Sequence, residues 1–188
     1  MTPVAFLDAN ALYPATTRSV LMYLAVGGVY RARWSAAVQD EWIAALLRFR
    51  PDLDPARLAR TRDLMDARII DAVVSGYEHM IATLTLPDPD DRHVLAAAIH
   101  GGANVIVTAN LKDFPAETLA TYNMVAQEPD AFIRDLLLAA PDAAVAAFAA
   151  DRERLRNPAM SQAEYIDGLR RAGPIGTAAI LQAFADKL

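Results

Sequence analysis

Short apolar runs that stop on a polar residue alternate, through the first two thirds of this chain, with stretches of helical periodicity. Val4-Ala-Phe-Leu7 ends on Asp8, and Val105-Ile-Val107 ends on Thr108. Runs that are apolar at consecutive positions suit strands buried on both faces of a parallel sheet. Between them, Ser35 precedes a segment with Val38, Trp42, Ala45, Leu46 and Phe49 on one face, and Pro51 ends it. Helices are also expected from Thr17 to Ala25 with a Gly27-Gly28 stop, from Pro55 to Ile70, after Gly76 to Leu84, and from Pro89 to His100. Tyr30 to Trp34 and Met124 to Ala126 supply further strands. The class is therefore α/β, with a central parallel sheet covered on both faces.

After Pro129 the pattern becomes helical throughout: Phe132 to Leu138, Ala143 to Leu155, Ser161 to Arg171 and Thr177 to Leu188. Ser161-Gln-Ala-Glu164 reads as a capping box. Two parts are expected, an α/β domain over 1–128 and an all-helical segment over 129–188. With 188 residues, 54% of them hydrophobic, the chain can bury a full core. No apolar run approaches the roughly 18 to 20 residues of a membrane span. The N-terminus begins on a strand-like run without a basic and then apolar leader, so no signal peptide is expected. The absence of cysteine rules out disulfides and thiolate metal sites and fits a cytoplasmic protein. A net charge of -5 argues against a broad nucleic-acid surface and leaves room for a local one.

Carboxylates stand where the α/β pattern puts strand ends and helix starts. Asp88-Pro-Asp-Asp91 opens a helix: Asp88 suits the N-cap, Pro89 the first turn, and Asp90 and Asp91 the positive end of the helix dipole. Capping alone accounts for such a motif, yet three adjacent carboxylates also repel one another. Asp8 follows the first strand and Asp113 lies just past Val105-Ile-Val107, so both belong at the carboxyl edge of the sheet, where open α/β folds gather ligands. Lys112 is the one lysine near them. Oxygen donors without cysteine point to Mg²⁺ or Mn²⁺ rather than zinc. His79, His93 and His100 lack zinc spacing, and His93 is expected to face away from Asp91. Arg31, Arg33, Arg48 and Arg50 bracket Glu41 and are candidates for holding phosphates.

These residues resemble a PIN domain, the small three-layer α/β nuclease fold that includes the VapC-type toxins of bacterial toxin–antitoxin pairs. Leu7-Asp8-Ala-Asn10 resembles the family's opening Asp-x-Asn, and Asp40-Glu41-Trp its helical second acid. Asp91 with Leu95-Ala-Ala-Ala resembles the third acid, and Thr108-Ala-Asn110-Leu-Lys-Asp113-Phe the closing motif. The stretches Gly76-Tyr-Glu, Leu86-Pro-Asp-Pro-Asp-Asp-Arg-His-Val and Leu155-Arg-Asn-Pro158 are similar to those of a VapC subgroup with an additional C-terminal helical segment. The resemblance implies that Asp8, Glu41, Asp91 and Asp113 bind Mg²⁺ or Mn²⁺, with Asp88 and Asp90 as neighbours or alternates. Asn10 and Thr108 would orient ligands or the attacking water. Asn110 stands where many PIN domains carry an acid, which leaves Asp113 as a direct or water-mediated ligand.

The implied activity is RNA hydrolysis to 5′-phosphate and 3′-hydroxyl products, silenced by a cognate antitoxin, with a homodimer also expected. The antitoxin would lay an apolar helix beside Leu12 to Leu24 or Trp42 to Phe49. A phosphatase of the haloacid-dehalogenase type also places an Asp after its first strand, but has an acid where Asn10 stands here. A phospho-accepting receiver domain needs an acid beside Asp8 that the sequence lacks. A PIN fold that only binds partners would have no use for all four acids.

Overall fold

The computed structural model describes residues 2–156 and 158–188. Asn157, part of the Leu155-to-Pro158 stretch singled out above, lies outside the described residues. The chain forms two compact units, one of residues 1–13 and 31–128, the other of residues 14–30 and 129–188.

The first unit is built on a five-stranded parallel sheet of β1 (Val4–Leu7), β2 (Arg31–Ser35), β3 (Val73–Val74), β4 (Val105–Val107) and β5 (Val125–Gln127) in the order β3-β2-β1-β4-β5. Ala5 pairs with Ala32 on one side and Val105 on the other. Ala5, Phe6, Leu7, Ile106 and Val107 are fully buried, as runs without alternation require. This order also departs from the 2-1-3-4-5 arrangement of a receiver domain, and removes that reading. β3 is too short for any periodicity to announce; it forms because Trp34 and Ser35 offer it a register.

The helices of the chain, in order, begin with α1 (Ala9–Leu12), α2 (Ala15–Val26), which belongs to the second unit, and α3 (Ala36–Phe49). Ser35 caps α3, accepting from the Val38 N–H at 3.3 Å. α4 (Pro55–Arg68) starts on its own cap, Asp54, and short α5 (Glu78–Ile81) follows. The helix expected from Pro89 is in fact a single 3-10 turn over Pro89–Asp91 leading into α6 (Arg92–His100). Gly101 ends α6 against β3: a Cβ there would lie 2.8 Å from Val74 Cγ2. α7 (Ala116–Ala120) precedes β5.

The second unit joins α2 to α8 (Pro129–Ala139), α9 (Pro141–Glu153), α10 (Gln162–Ala172) and α11 (Ile175–Leu181). The capping box at Ser161 and Glu164 forms as the sequence indicates. The last helix, expected to run on to Leu188, gives way to a 3-10 segment over Gln182–Lys187 with a kink at Phe184. Buried Asp151 accepts from Ser19 Oγ at 2.5 Å, Tyr165 OH at 2.7 Å and Arg154 Nε at 2.8 Å, tying α9 to α2 and α10. Asp130 does the same for α11, accepting from the Gly176 and Thr177 N–H groups at 2.8 and 2.9 Å. Among the described residues no helix is long and apolar enough to cross a membrane.

Candidate metal centre

Asp8 is the first residue past β1 and caps α1, its Oδ1 accepting from the Ala9 N–H at 2.6 Å. Its Oδ2 accepts from the Asn10 amide at 2.6 Å and from the Thr108 hydroxyl at 2.7 Å. Thr108, the first residue past β4, is fully buried, and its Oγ1 accepts in turn from Asn10 Nδ2 and the Asn110 N–H, both at 3.0 Å. Asn10 Oδ1 closes the network by accepting from the Ala109 N–H at 2.8 Å. Two adjacent strand ends are thereby locked together, and the Asp8 carboxylate is held in one orientation.

Asp113 ends the 3-10 turn Leu111–Asp113 after β4 and is buried; Asn110 donates from its amide to Asp113 Oδ2. Asn110 thus serves a neighbouring acid as donor. From the other direction the Pro89–Asp91 turn brings in two more carboxylates. Asp88 caps that turn, accepting from the Asp90 N–H at 2.9 Å, whereas the Asp91 side chain makes no capping bond. One carboxylate oxygen each from Asp88, Asp91 and Asp113 lies within 4.8 Å of the other two. Asp90 is exposed and outside this group.

The electrostatics are those of a crowded acidic cluster. Burial pushes the Asp8 carboxyl above its ordinary value against the pull of its hydrogen bonds to Thr108 and Ala9, and the Glu41 charge adds to the push. Asp91 is pushed up to about 6, first by burial and then by the charges of Asp8, Asp88 and Asp113. Its Oδ2 is buried and, among the described residues, has no hydrogen-bond partner. Among the described residues no arginine or lysine pairs with Asp8, Asp88, Asp91 or Asp113. A carboxylate with an orphaned oxygen, gathered with two further carboxylates and with oxygen donors only, fits a hard divalent cation.

Glu41 projects from α3 beside these acids, its carboxylate Oε1 2.9 Å from His93 Nε2. His93, expected to face away from Asp91, thus meets another acid of the site, Glu41. Burial opposes charging of the His93 imidazole, but the hydrogen bond and charge of Glu41, with Asp8 and Asp91, outweigh it and raise its pKa.

The four arginines fall elsewhere. Arg31 pairs in register with Val4, at the amino end of the sheet, and Arg33 donates to the Asp71 carbonyl at 2.6 Å, on the amino side of β3. Arg50 pairs with Asp52 at 2.7 Å. Arg48 is exposed two turns beyond Glu41, about 10 Å along α3. Nor is the apolar surface proposed for a partner helix available as expected: Leu12, Leu21, Leu24 and Trp42 are fully buried, while Phe49 is 70% exposed.

Comparison with known proteins agrees with this architecture. The family model described as PIN domain matches residues 5–112, and one described as VapC50 C-terminal domain matches residues 129–183. A protein of Mycobacterium tuberculosis named "Putative ribonuclease VapC50" is 47% identical over 66 residues, 35% of this chain and 38% of that protein's length. The match thus spans well under half of the relative. No solved structure matches with significance.

Proposed function

The chain belongs to the PIN domain family, and from that premise we propose that it is a divalent-metal-dependent endoribonuclease, the toxin of a toxin–antitoxin pair. The observation that carries this reading is the gathering of Asp91 with Asp88 and Asp113, one oxygen of each within 4.8 Å of the others, while Asp91 Oδ2 is buried and has no hydrogen-bond partner among the described residues. Asp91 and Asp113 would hold Mg²⁺ or Mn²⁺, with Asp8, Glu41 and Asp88 around them. When bound, such a cation polarises a phosphodiester and lowers the pKa of a water, supplying the nucleophile at neutral pH. The chain's own part is placement: Thr108 and Asn10 fix Asp8, and Asn110 fixes Asp113. A PIN domain with these acids in place leaves a dehalogenase-type phosphatase without support.

RNA is the proposed substrate, and single-stranded or looped segments suit an edge pocket because their backbone can bend into it. An antitoxin partner, a homodimer and a cytoplasmic location complete the proposal, on the strength of the VapC-like segments alone. Incubation of labelled RNA with the protein in Mg²⁺ tests it. Cleavage to 5′-phosphate ends that EDTA stops is expected, and intact RNA, or cleavage that continues in EDTA, would overturn it.

A further inference from the structure

We infer that His93 is a positioning residue that holds Glu41 in the acidic site. This rests on the metal-centre reading above. Glu41 carries three rotatable side-chain bonds and is 45% exposed, and the neighbouring Asp8 repels it. Left to itself such a side chain gains both entropy and relief from repulsion by swinging into water. Asp8 needs no such restraint, because Ala9, Asn10 and Thr108 already fix it. Glu41 has none of those donors; among the described residues its side-chain partner is His93, at 2.9 Å.

The ring is suited to this task. His93 is only 17% exposed, and its Nδ1 is buried with no hydrogen-bond partner among the described residues. A buried orphan N–H is worse tolerated than an orphan acceptor, so the proton belongs on Nε2, the nitrogen that faces Glu41. His93 also stands one residue into α6, two after Asp91, so the bond ties α3 to the helix whose approach delivers Asp91. A second acid is thereby placed relative to the first by one side chain, as partners behind metal ligands commonly do.

Calorimetric titration of Mn²⁺ into the RNA-free protein tests this, on the native chain, His93→Ala, Glu41→Gln and the double variant. His93→Ala is expected to weaken Mn²⁺ binding by roughly 10- to 100-fold. The double variant should be no worse than Glu41→Gln, since His93 acts on the metal only through the Glu41 carboxylate, which that change already removes. His93→Gln, which keeps a donor near the Nε2 position, should recover binding to within about threefold of native on the same reasoning. Cleavage by His93→Ala should show a lowered kcat with an unchanged KM for RNA. Should His93→Ala melt below the assay temperature, His93→Leu fills the space without the donor and takes its place. Native-like Mn²⁺ affinity in the donor-free variant, or losses that add in the double variant, would overturn the assignment of His93 alone. A native protein that binds no Mn²⁺ would overturn the metal centre and this role with it.

Discussion

Asp91 and Asp151 are the same residue type, each with a carboxylate oxygen withdrawn from water, in two different units, and their surroundings are opposite. Asp151, in the helical unit, has two hydroxyls and a guanidinium on its oxygens within 2.8 Å. Asp91, in the sheet unit, has a buried oxygen with no partner and three other carboxylates acting on it. The units as wholes follow the same division. The helical unit holds eight basic and eight acidic residues, whereas the sheet unit holds ten basic and fifteen acidic and so carries the whole net charge of -5. A carboxylate whose partners are all supplied by the chain serves the fold. One left without them destabilises the chain until something else arrives, and here the chemistry of the donors selects a divalent cation.

The comparison can be broken most severely through activity. Asp91→Asn and Asp8→Asn should each reduce Mg²⁺-dependent RNA cleavage by roughly 10²- to 10³-fold or more. Retained cleavage in either, read from initial rates, would remove these acids from the reaction. Asp151→Ala should instead lower stability, by about 3 kcal/mol, since it strands Ser19, Tyr165 and Arg154 together. Chemical denaturation measures that loss, and kcat of the folded fraction should be unchanged. Asp130→Ala, which uncaps α11, should cost about 1 kcal/mol by the same assay.

A pH profile tests the crowding around Asp91. Asp91 titrates near 6 in the folded protein and near its ordinary value of 3.8 when unfolded. Between those values the folded state binds the extra proton, so metal-free stability falls as pH rises through the window from about 4 to about 6. The full shift would correspond to about 3 kcal/mol, and solvent screening at this half-buried site reduces it to about 1 kcal/mol. Saturating Mn²⁺ should abolish the fall. A metal-free protein that instead gains stability across this window would contradict the crowded-acid account.

Where the sequence was legible, one local rule sufficed. Val4 to Leu7 and Val105 to Val107 announce buried strands by composition, Ser35 and Ser161 announce helix starts by their caps, and Asp8 and Asp113 follow from where strands end. What escaped depends on partners distant in the chain. β3 exists through pairing with β2, α2 joins helices more than a hundred residues away, and His93 meets Glu41 across two helices. The misplacement of Arg31 and Arg33 has the same origin: proximity to Glu41 in sequence says nothing of which end of β2 faces the acids.

The most direct measurement is the melting temperature of metal-free Asp91→Asn at pH 7.5. If Asp91 is held charged and unpartnered for a cation, neutralising it relieves repulsion, and the variant should melt above the native protein while cleaving no RNA. A variant that melts below native would mean that Asp91, like Asp151, serves the fold.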